Sequence, residues 1–290
     1  MHLRFVLLFM TLLSLSTAKE WRSGTWFDID IATSVAHDTV VSVPQDLYNI
    51  AVTPFTHPLE SLSFLGLTAG LVAVDYPLTL AYQEWVEKPL DLYSLPTLFI
   101  DTPITHGADS WVVFGMVGHY LAGFALGDER SQVAAVLAGK AVAYSFVTSH
   151  VLLKALTGRN RPADSLATCT GSTSYDTCSP FDWGNWHAPY WESNQYGTAM
   201  PSFHLTMYFA VARVYADVYE NYWLPYLGAT LIHISDIKGH QHWLSDMVAG
   251  ALIGTFIGHQ VTSSYFGTTE GGSTVTILPR AGGLALSYDY

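Results

Sequence analysis

Six long apolar stretches constrain the fold of this chain more than any other feature of its sequence. Each is long enough for a helix of several turns, and polar segments separate one from the next. Because helices joined by short connections run antiparallel, the pattern predicts an all-α bundle of six helices. The stretches span residues 62–82, 111–126, 132–156, 204–219, 223–237 and 243–262.

The segments outside these stretches divide the chain further. Residues 1–18 have a positive charge at Arg4, a short apolar run and a small-x-small end, which predicts a signal peptide, although a retained N-terminal anchor is the alternative. The predicted parts after it are an extracytoplasmic extension over 19–58 with one short helix near Gln45 to Ala51, a helical domain over 59–265, and a tail over 266–290 whose alternating pattern predicts a small β-hairpin.

Composition narrows the function classes. Half of the residues are hydrophobic, 12% are charged and the net charge is −12. Nucleic acid is therefore an unfavourable partner. An anionic substrate requires a locally basic pocket on this acidic chain.

The polar segment over 162–199 is too long to be a simple connection, and long loops in compact domains are usually functional. Cys169 and Cys178 lie in it, and export favours a disulfide between them over two free thiols. A metal site is not predicted, because no matching ligand set is near the cysteines. Its aromatic residues either shape an entrance, lie at a membrane interface or pin the loop to the bundle: Trp183, Trp186, Tyr190 and Trp191.

Three motifs carry residues suited to phosphate chemistry. KALTGRNRP spans 154–162, PSFH spans 201–204 and SDIKGHQHWLSDMVAG spans 235–250. In the third, the i, i+4 spacing of His242 and Asp246 places both on one face of a helix. A carboxylate there can hold one imidazole nitrogen and leave the other as a nucleophile. On its own, such a pair is more often a structural hydrogen bond than a catalytic dyad. The assignment of a catalytic role therefore depends on the other two motifs.

Together the motifs resemble the signature of the type 2 phosphatidic acid phosphatase (PAP2) superfamily, which also contains vanadium haloperoxidases and bacterial acid phosphatases. The family patterns are K-x6-R-P, P-S-G-H and S-R-x5-H-x3-D. The resemblance extends over residues 62–259 and implies a PAP2-like helical bundle. The matching positions are Lys154, Arg161 and Pro162, then Pro201, Ser202 and His204, then Ser235, His242 and Asp246.

The resemblance also implies a role for each matching residue. His242 attacks phosphorus and forms a phosphohistidine, Asp246 orients it, and His204 protonates the leaving oxygen and then activates water. No metal is needed. The implied phosphate-binding groups are Lys154, Arg161, Ser202 and the backbone at Phe203, which opens a helix.

Two positions depart from the family pattern. Phe203 stands where the family has glycine, and Asp236 stands where it has arginine. An aspartate in that place repels an anionic substrate, unless it holds one of the two motif cations. Lys238 could reach the vacant position instead, and His240 also flanks the site without an assigned role.

The function expected from this resemblance is a metal-independent phosphatase that acts on a lipid-like phosphate monoester or diphosphate. The departures keep open a phospho-headgroup transferase or a weakened phosphatase. A vanadate-dependent haloperoxidase, with vanadate as its only cofactor, and a non-enzymatic envelope protein are further alternatives.

The expected partners are a phosphorylated lipid or small molecule and a membrane. The expected location is the cell envelope, with the site on the periplasmic or extracytoplasmic side. Low charge favours embedding in the membrane, whereas the charges inside the apolar stretches favour a peripheral bundle: Asp75, Lys140, Arg213 and Asp217.

Overall fold

The computed structural model describes residues 20–90, 94–102, 106–189, 196–235, 237, 241–269, 274–280 and 283–289, with side chains described as far as residue 267. Helices account for most of this part of the chain, as the apolar stretches predict. The helices are α1 (Ile29–Val41), α2 (Val43–Thr56), α3 (Pro58–Ala73), α4 (Asp75–Tyr82), α5 (Lys88–Leu90), α6 (Gly107–Leu126), α7 (Glu129–Ser145), α8 (Lys154–Thr157), α9 (Phe203–Tyr219), α10 (Leu224–Ser235) and α11 (Leu244–Thr269).

The N-terminal extension holds α1 and α2: the helix predicted near Gln45 to Ala51 lies within the longer α2, whereas α1 was not predicted. Asp28 starts α1, because its carboxylate accepts hydrogen bonds from the backbone N–H groups of Asp30 and Ile31. Ile31 and Val35 are buried in the core of the bundle. The many polar residues on the other faces conceal this narrow apolar face in the sequence.

The first apolar stretch is a bent pair of helices and not the single helix expected over 62–82. Helix α3 ends at Ala73, and the segment from Asp75 to Leu90 departs from it at an angle of 74°. A π-helical turn over Gln83–Glu87 joins α4 to α5. The break places Asp75 at the start of α4, where its side chain is fully buried.

A second π-helical segment, Phe146–Leu153, joins α7 to α8 and forms one continuous helix with them. This helix begins after the turn at Gly127, whose φ of 65° is readily adopted by glycine. Asp128 caps its first turn by accepting from the N–H of Ser131. Gly158 ends it with a φ of 57°.

Helices α9 and α11 form the closest packed pair at the centre. Gly250, Gly254 and Gly258 lie along α11, and a methyl group on any of them would collide with a backbone carbonyl of the region that opens and forms α9. The close approach of the two helices therefore depends on glycine at these positions. Helix α7 completes the core with small and branched side chains such as Val133 and Leu137.

At the C-terminus, β1 (Thr274–Arg280) and β2 (Gly283–Asp289) pair antiparallel, with Thr274 opposite Asp289. By length and composition, one helix in the described part of the chain could cross a membrane, Glu129–Thr157. The bent pair Pro58–Ala73 and Asp75–Leu90 passes the same test only if it counts as one span.

Candidate active site

The three motifs meet at one end of the bundle. Lys154 opens α8, at the end of the long helix, and the chain then turns at Gly158. The backbone carbonyl of Arg159 accepts from Ala199, which brings the first motif beside the second. The backbone N–H of Ser202 donates to the carbonyl of Asp246 at 3.0 Å, which joins the second motif to the third.

His242 and Asp246 are neighbours, but not on one helix as their spacing suggested. Helix α11 begins at Leu244, so His242 lies in the segment before it. Its Nδ1 is 3.7 Å from Oδ2 of Asp246, slightly beyond hydrogen-bonding distance. The same Oδ2 accepts from the backbone N–H of Trp243 at 3.1 Å. Asp246 therefore caps its own helix and faces the imidazole with the same oxygen.

The other oxygen of Asp246 binds a residue that the motif comparison did not single out. Nη1 of Arg159 is 2.6 Å from Oδ1 of Asp246, and Nη2 is 2.7 Å from Oδ2 of Asp75. Nη1 also donates to the hydroxyl of Ser245, which in turn contacts Asp75. The Arg159 side chain is fully buried, and the ring of Trp183 lies 4.7 Å from its guanidinium carbon.

Asp75 thus has a partner inside the protein. In the sequence it interrupts an apolar stretch and argues against membrane embedding, whereas in the fold it neutralises Arg159. The sequence signal for this network was the first arginine in GRNRP, which the family pattern leaves unassigned, together with an unexplained acid in an apolar run.

Burial raises the pKa of Asp246 to about 6. The negative charge of Asp75 acts in the same direction, while Arg159 opposes both. At neutral pH the carboxylate is ionised, and its charge favours a proton on the facing nitrogen of His242.

Two buried basic side chains border this pair. Lys154 is 1% exposed and Arg161 is 3% exposed. Burial lowers the pKa of Arg161 to about 10, so that it remains charged at neutral pH. Its guanidinium makes long contacts of 3.3 and 3.4 Å with Thr198 and a 3.4 Å contact with the carbonyl of Gln241. Burial lowers the pKa of Lys154 well below its ordinary value, the charge of Arg161 acts in the same direction, and Asp246 opposes both.

Ser202 and Phe203 open α9 beside these basic side chains. The Ser202 hydroxyl is buried without a hydrogen-bond partner among the described residues and makes no cap bond. The Phe203 ring packs edge-on against Phe146 and His150 of the π-helical segment. The larger side chain therefore has its own apolar contacts in the place where the family has glycine.

His204 also has a partner that the sequence analysis missed. Its Nε2 lies 3.2 Å from Oδ2 of Asp109, near the start of α6. The hydroxyl of Tyr208 donates to the other oxygen of Asp109 at 2.7 Å. Burial lowers the pKa of His233 to about 4, and the neighbouring His204 acts in the same direction. Asp109 lies just before the apolar stretch over 111–126 and outside all three motifs, so local sequence did not link it to His204.

The remaining predicted site residues are less completely described. Asp236, Lys238 and His240 lie outside the described residues. The roles expected of Asp236 and Lys238 at the position of the motif arginine therefore stay predictions. The Cys169–Cys178 disulfide is present. In the loop, the indole N–H of Trp186 donates to the carbonyl of Leu156, and Trp183 packs on Arg159, while Tyr190 and Trp191 lie outside the described residues.

No cluster of ligands suited to a metal ion occurs among the described residues.

The family comparison matches the same region. The model of the PAP2 superfamily matches residues 132–270, which include all three motifs. This part of the chain belongs to the PAP2 superfamily. Comparison with curated proteins found no match, and comparison with solved structures found none either. The PAP2 region starts within α7, so Asp75 and Asp109 reach the site from helices that precede it.

Proposed function

We propose that the protein is a metal-independent phosphatase that hydrolyses a lipid-like phosphate through a phosphohistidine at His242. The observation that carries this proposal is the convergence of Lys154, Arg161 and the Ser202 hydroxyl beside the His242–Asp246 pair. Buried cations and neutral donors of this kind stabilise the charge that develops on a transferred phosphoryl group. Membership of the PAP2 superfamily supports phosphatase chemistry.

The geometry supports the following division of roles. Nδ1 of His242 faces Asp246, so we assign Nε2 as the nucleophile. Nε2 forms a bond to phosphorus while the bond from phosphorus to the leaving oxygen breaks, and His204 gives that oxygen a proton. Water then attacks phosphorus, His204 takes its proton, and inorganic phosphate leaves. Asp109 holds His204 throughout.

An apolar groove supports a lipid-like substrate. It has a volume of about 280 Å³ and lies between α6, α9 and α10, with Val112, Met116, Gly228 and Ile232 among its lining residues. Tyr208 also lines it, and the hydroxyl of this tyrosine binds the carboxylate that contacts His204. Tyr208 thus connects the groove to the proposed acid, and we propose that an apolar leaving group lies in this groove.

The test is to trap the intermediate. After brief mixing of the full-length protein with a radiolabelled long-chain alkyl phosphate, acid-labile and base-stable label should be found on wild type and not on His242→Ala. His204→Ala should lose turnover, because both protons pass through this residue. His37→Ala changes an exposed histidine on α1 and serves as the matched control. Turnover that persists in His242→Ala would contradict the assigned nucleophile.

A further inference from the structure

The loop closed by the disulfide lies against the phosphate-binding residues. The backbone N–H of Thr177 donates to the carbonyl of Arg161 at 2.9 Å, and the carbonyl of Thr177 accepts from Ala163 at 3.0 Å. These bonds fix the end of the loop beside the motif arginine. The Cys169–Cys178 bond closes the loop just after this point.

The tip of the same loop contacts the segment that carries the proposed nucleophile. The side-chain amide of Gln241 donates to the hydroxyl of Ser172 at 3.2 Å. Gln241 directly precedes His242, and its carbonyl accepts from Arg161. The loop is therefore attached to the site at one end, through Thr177, and at its tip, through Ser172, and forms one wall of the site.

Asp176 is the acidic side chain of this wall. Its Oδ2 accepts from the backbone N–H of Thr173 at 2.8 Å, which fixes the carboxylate. Its Oδ1 is buried and has no hydrogen-bond partner among the described residues. Gly171 lies so close that a methyl group there would collide with the Asp176 side chain. A held and partly desolvated carboxylate next to the Arg161 backbone acts on that arginine and raises its pKa, against the larger effect of burial.

We propose that Asp176 determines specificity at the site, by opposing substrates that carry more negative charge than a phosphate monoester. A carboxylate repels a bound anion in proportion to the charge of that anion. A diphosphate bears more charge than a monoester with the same alkyl chain, so it suffers the larger penalty. This inference rests on the proposed function and selects monoesters within it.

The experiment compares kcat/KM for a long-chain alkyl monophosphate and the corresponding diphosphate. Wild type should favour the monophosphate. Asp176→Asn keeps an oxygen for Thr173 and removes the charge, so the ratio should move toward the diphosphate by about tenfold. Asp164→Asn removes the same charge from an exposed position of the 162–199 segment, just before the disulfide-closed loop, and should leave the ratio unchanged. An unchanged ratio in Asp176→Asn, with wild-type thermal stability, would overturn the inference.

A binding measurement separates this inference from the proposed function. Calorimetry measures the affinities of wild type and of Asp176→Asn for inorganic phosphate and for pyrophosphate. In Asp176→Asn, the affinity for pyrophosphate relative to phosphate should rise by the same factor as the kcat/KM ratio. If wild type hydrolyses neither ester but the binding preference shifts as expected, the phosphatase proposal fails and the role of Asp176 stands. If the esters are hydrolysed but neither the ratio nor the binding preference changes, the role of Asp176 fails alone.

Discussion

Arg159 organises the site at the scale of single residues. It binds Oδ1 of Asp246 and leaves Oδ2 to face His242 and the N–H of Trp243. It also binds Asp75, which would otherwise be a buried charge without compensation. The orientation of the proposed nucleophile thus depends on a buried guanidinium and on a carboxylate from a different helix.

This network predicts the acidic limb of the pH profile. Because Asp246 must be ionised to orient His242 and its pKa is raised to about 6, turnover should fall as the pH drops through this value. Asp75 raises that pKa, so Asp75→Asn should move the limb to lower pH. The measurement is kcat/KM across the acidic range for both proteins. As a control, Asp46→Asn changes another buried carboxylate and should not move the acidic limb. A shift of the limb to higher pH in Asp75→Asn would contradict the prediction.

The site residues that the sequence predicted lie close together along the chain, whereas those that it missed come from distant segments. His242, Asp246, Lys154 and Arg161 lie at fixed spacings, because backbone geometry within each motif sets their positions. Asp109 reaches His204 from another helix, as Asp75 reaches Arg159. Such contacts between distant segments depend on helix packing, and local pattern does not encode them.

At the scale of elements, the α9–α11 contact relies on glycine. Gly254→Ala should be destabilising by about 1–3 kcal/mol, because the added methyl group meets the carbonyl of Thr206. Gly139→Ala is the matched control: nothing lies within contact of its added methyl group, so it should stabilise α7 by up to about 1 kcal/mol. Urea denaturation measures both. Equal effects of the two substitutions would show that close packing is not the cause.

The apolar groove gives a second prediction for elements. A side chain at Gly228 would enter the groove without a collision, since nothing lies within contact of its added methyl group. Gly228→Leu should raise KM for a long-chain alkyl phosphate by about tenfold and leave a short water-soluble phosphate ester unaffected. Gly139→Leu adds the same side chain at an exposed position outside the groove. Equal loss with both esters in Gly228→Leu would argue against a chain-binding groove.

The helices show how far pattern alone can go. Strong apolar stretches predicted α6, α7, α9, α10 and α11, because each helix coincides with a long run of apolar residues in the sequence. The break at Val74 and helix α1 of the extension were missed for one reason. In both regions, a few buried side chains stabilise a structure that the hydrophobic pattern of the local sequence does not predict.

At the scale of the whole molecule, the extension is attached to the bundle by a buried polar cluster. The Lys140 ammonium on α7 lies 2.8 Å from Oδ2 of Asp46 on α2 and donates to Ser42 and to the carbonyl of Thr39. Tyr144 donates to the same Asp46 oxygen. The N-terminal helices therefore contribute to the core and do not merely precede it.

Breaking this cluster should destabilise the fold without changing the chemistry. Lys140→Met leaves Asp46 as an uncompensated buried charge, at a cost of about 3–5 kcal/mol. The double variant Lys140→Met with Asp46→Asn should recover much of the loss. Lys88→Met breaks an exposed pair and should cost at most about 1 kcal/mol. Denaturation midpoints and kcat of the folded proteins provide the measurement, and a loss of kcat that matches the loss of stability would contradict it.

The π-helical segment from Phe146 to Leu153 fixes how far α8 is rotated about the helix axis relative to α7. Before it, α7 presents apolar side chains to the core, and directly after it stands Lys154. A helix turns by about 100° per residue, so deleting one residue of the segment would rotate Lys154 by that angle while the core side of α7 stayed in place. The length of this short segment therefore fixes the side of the helix on which Lys154 lies, and with it the direction in which this lysine approaches the proposed nucleophile.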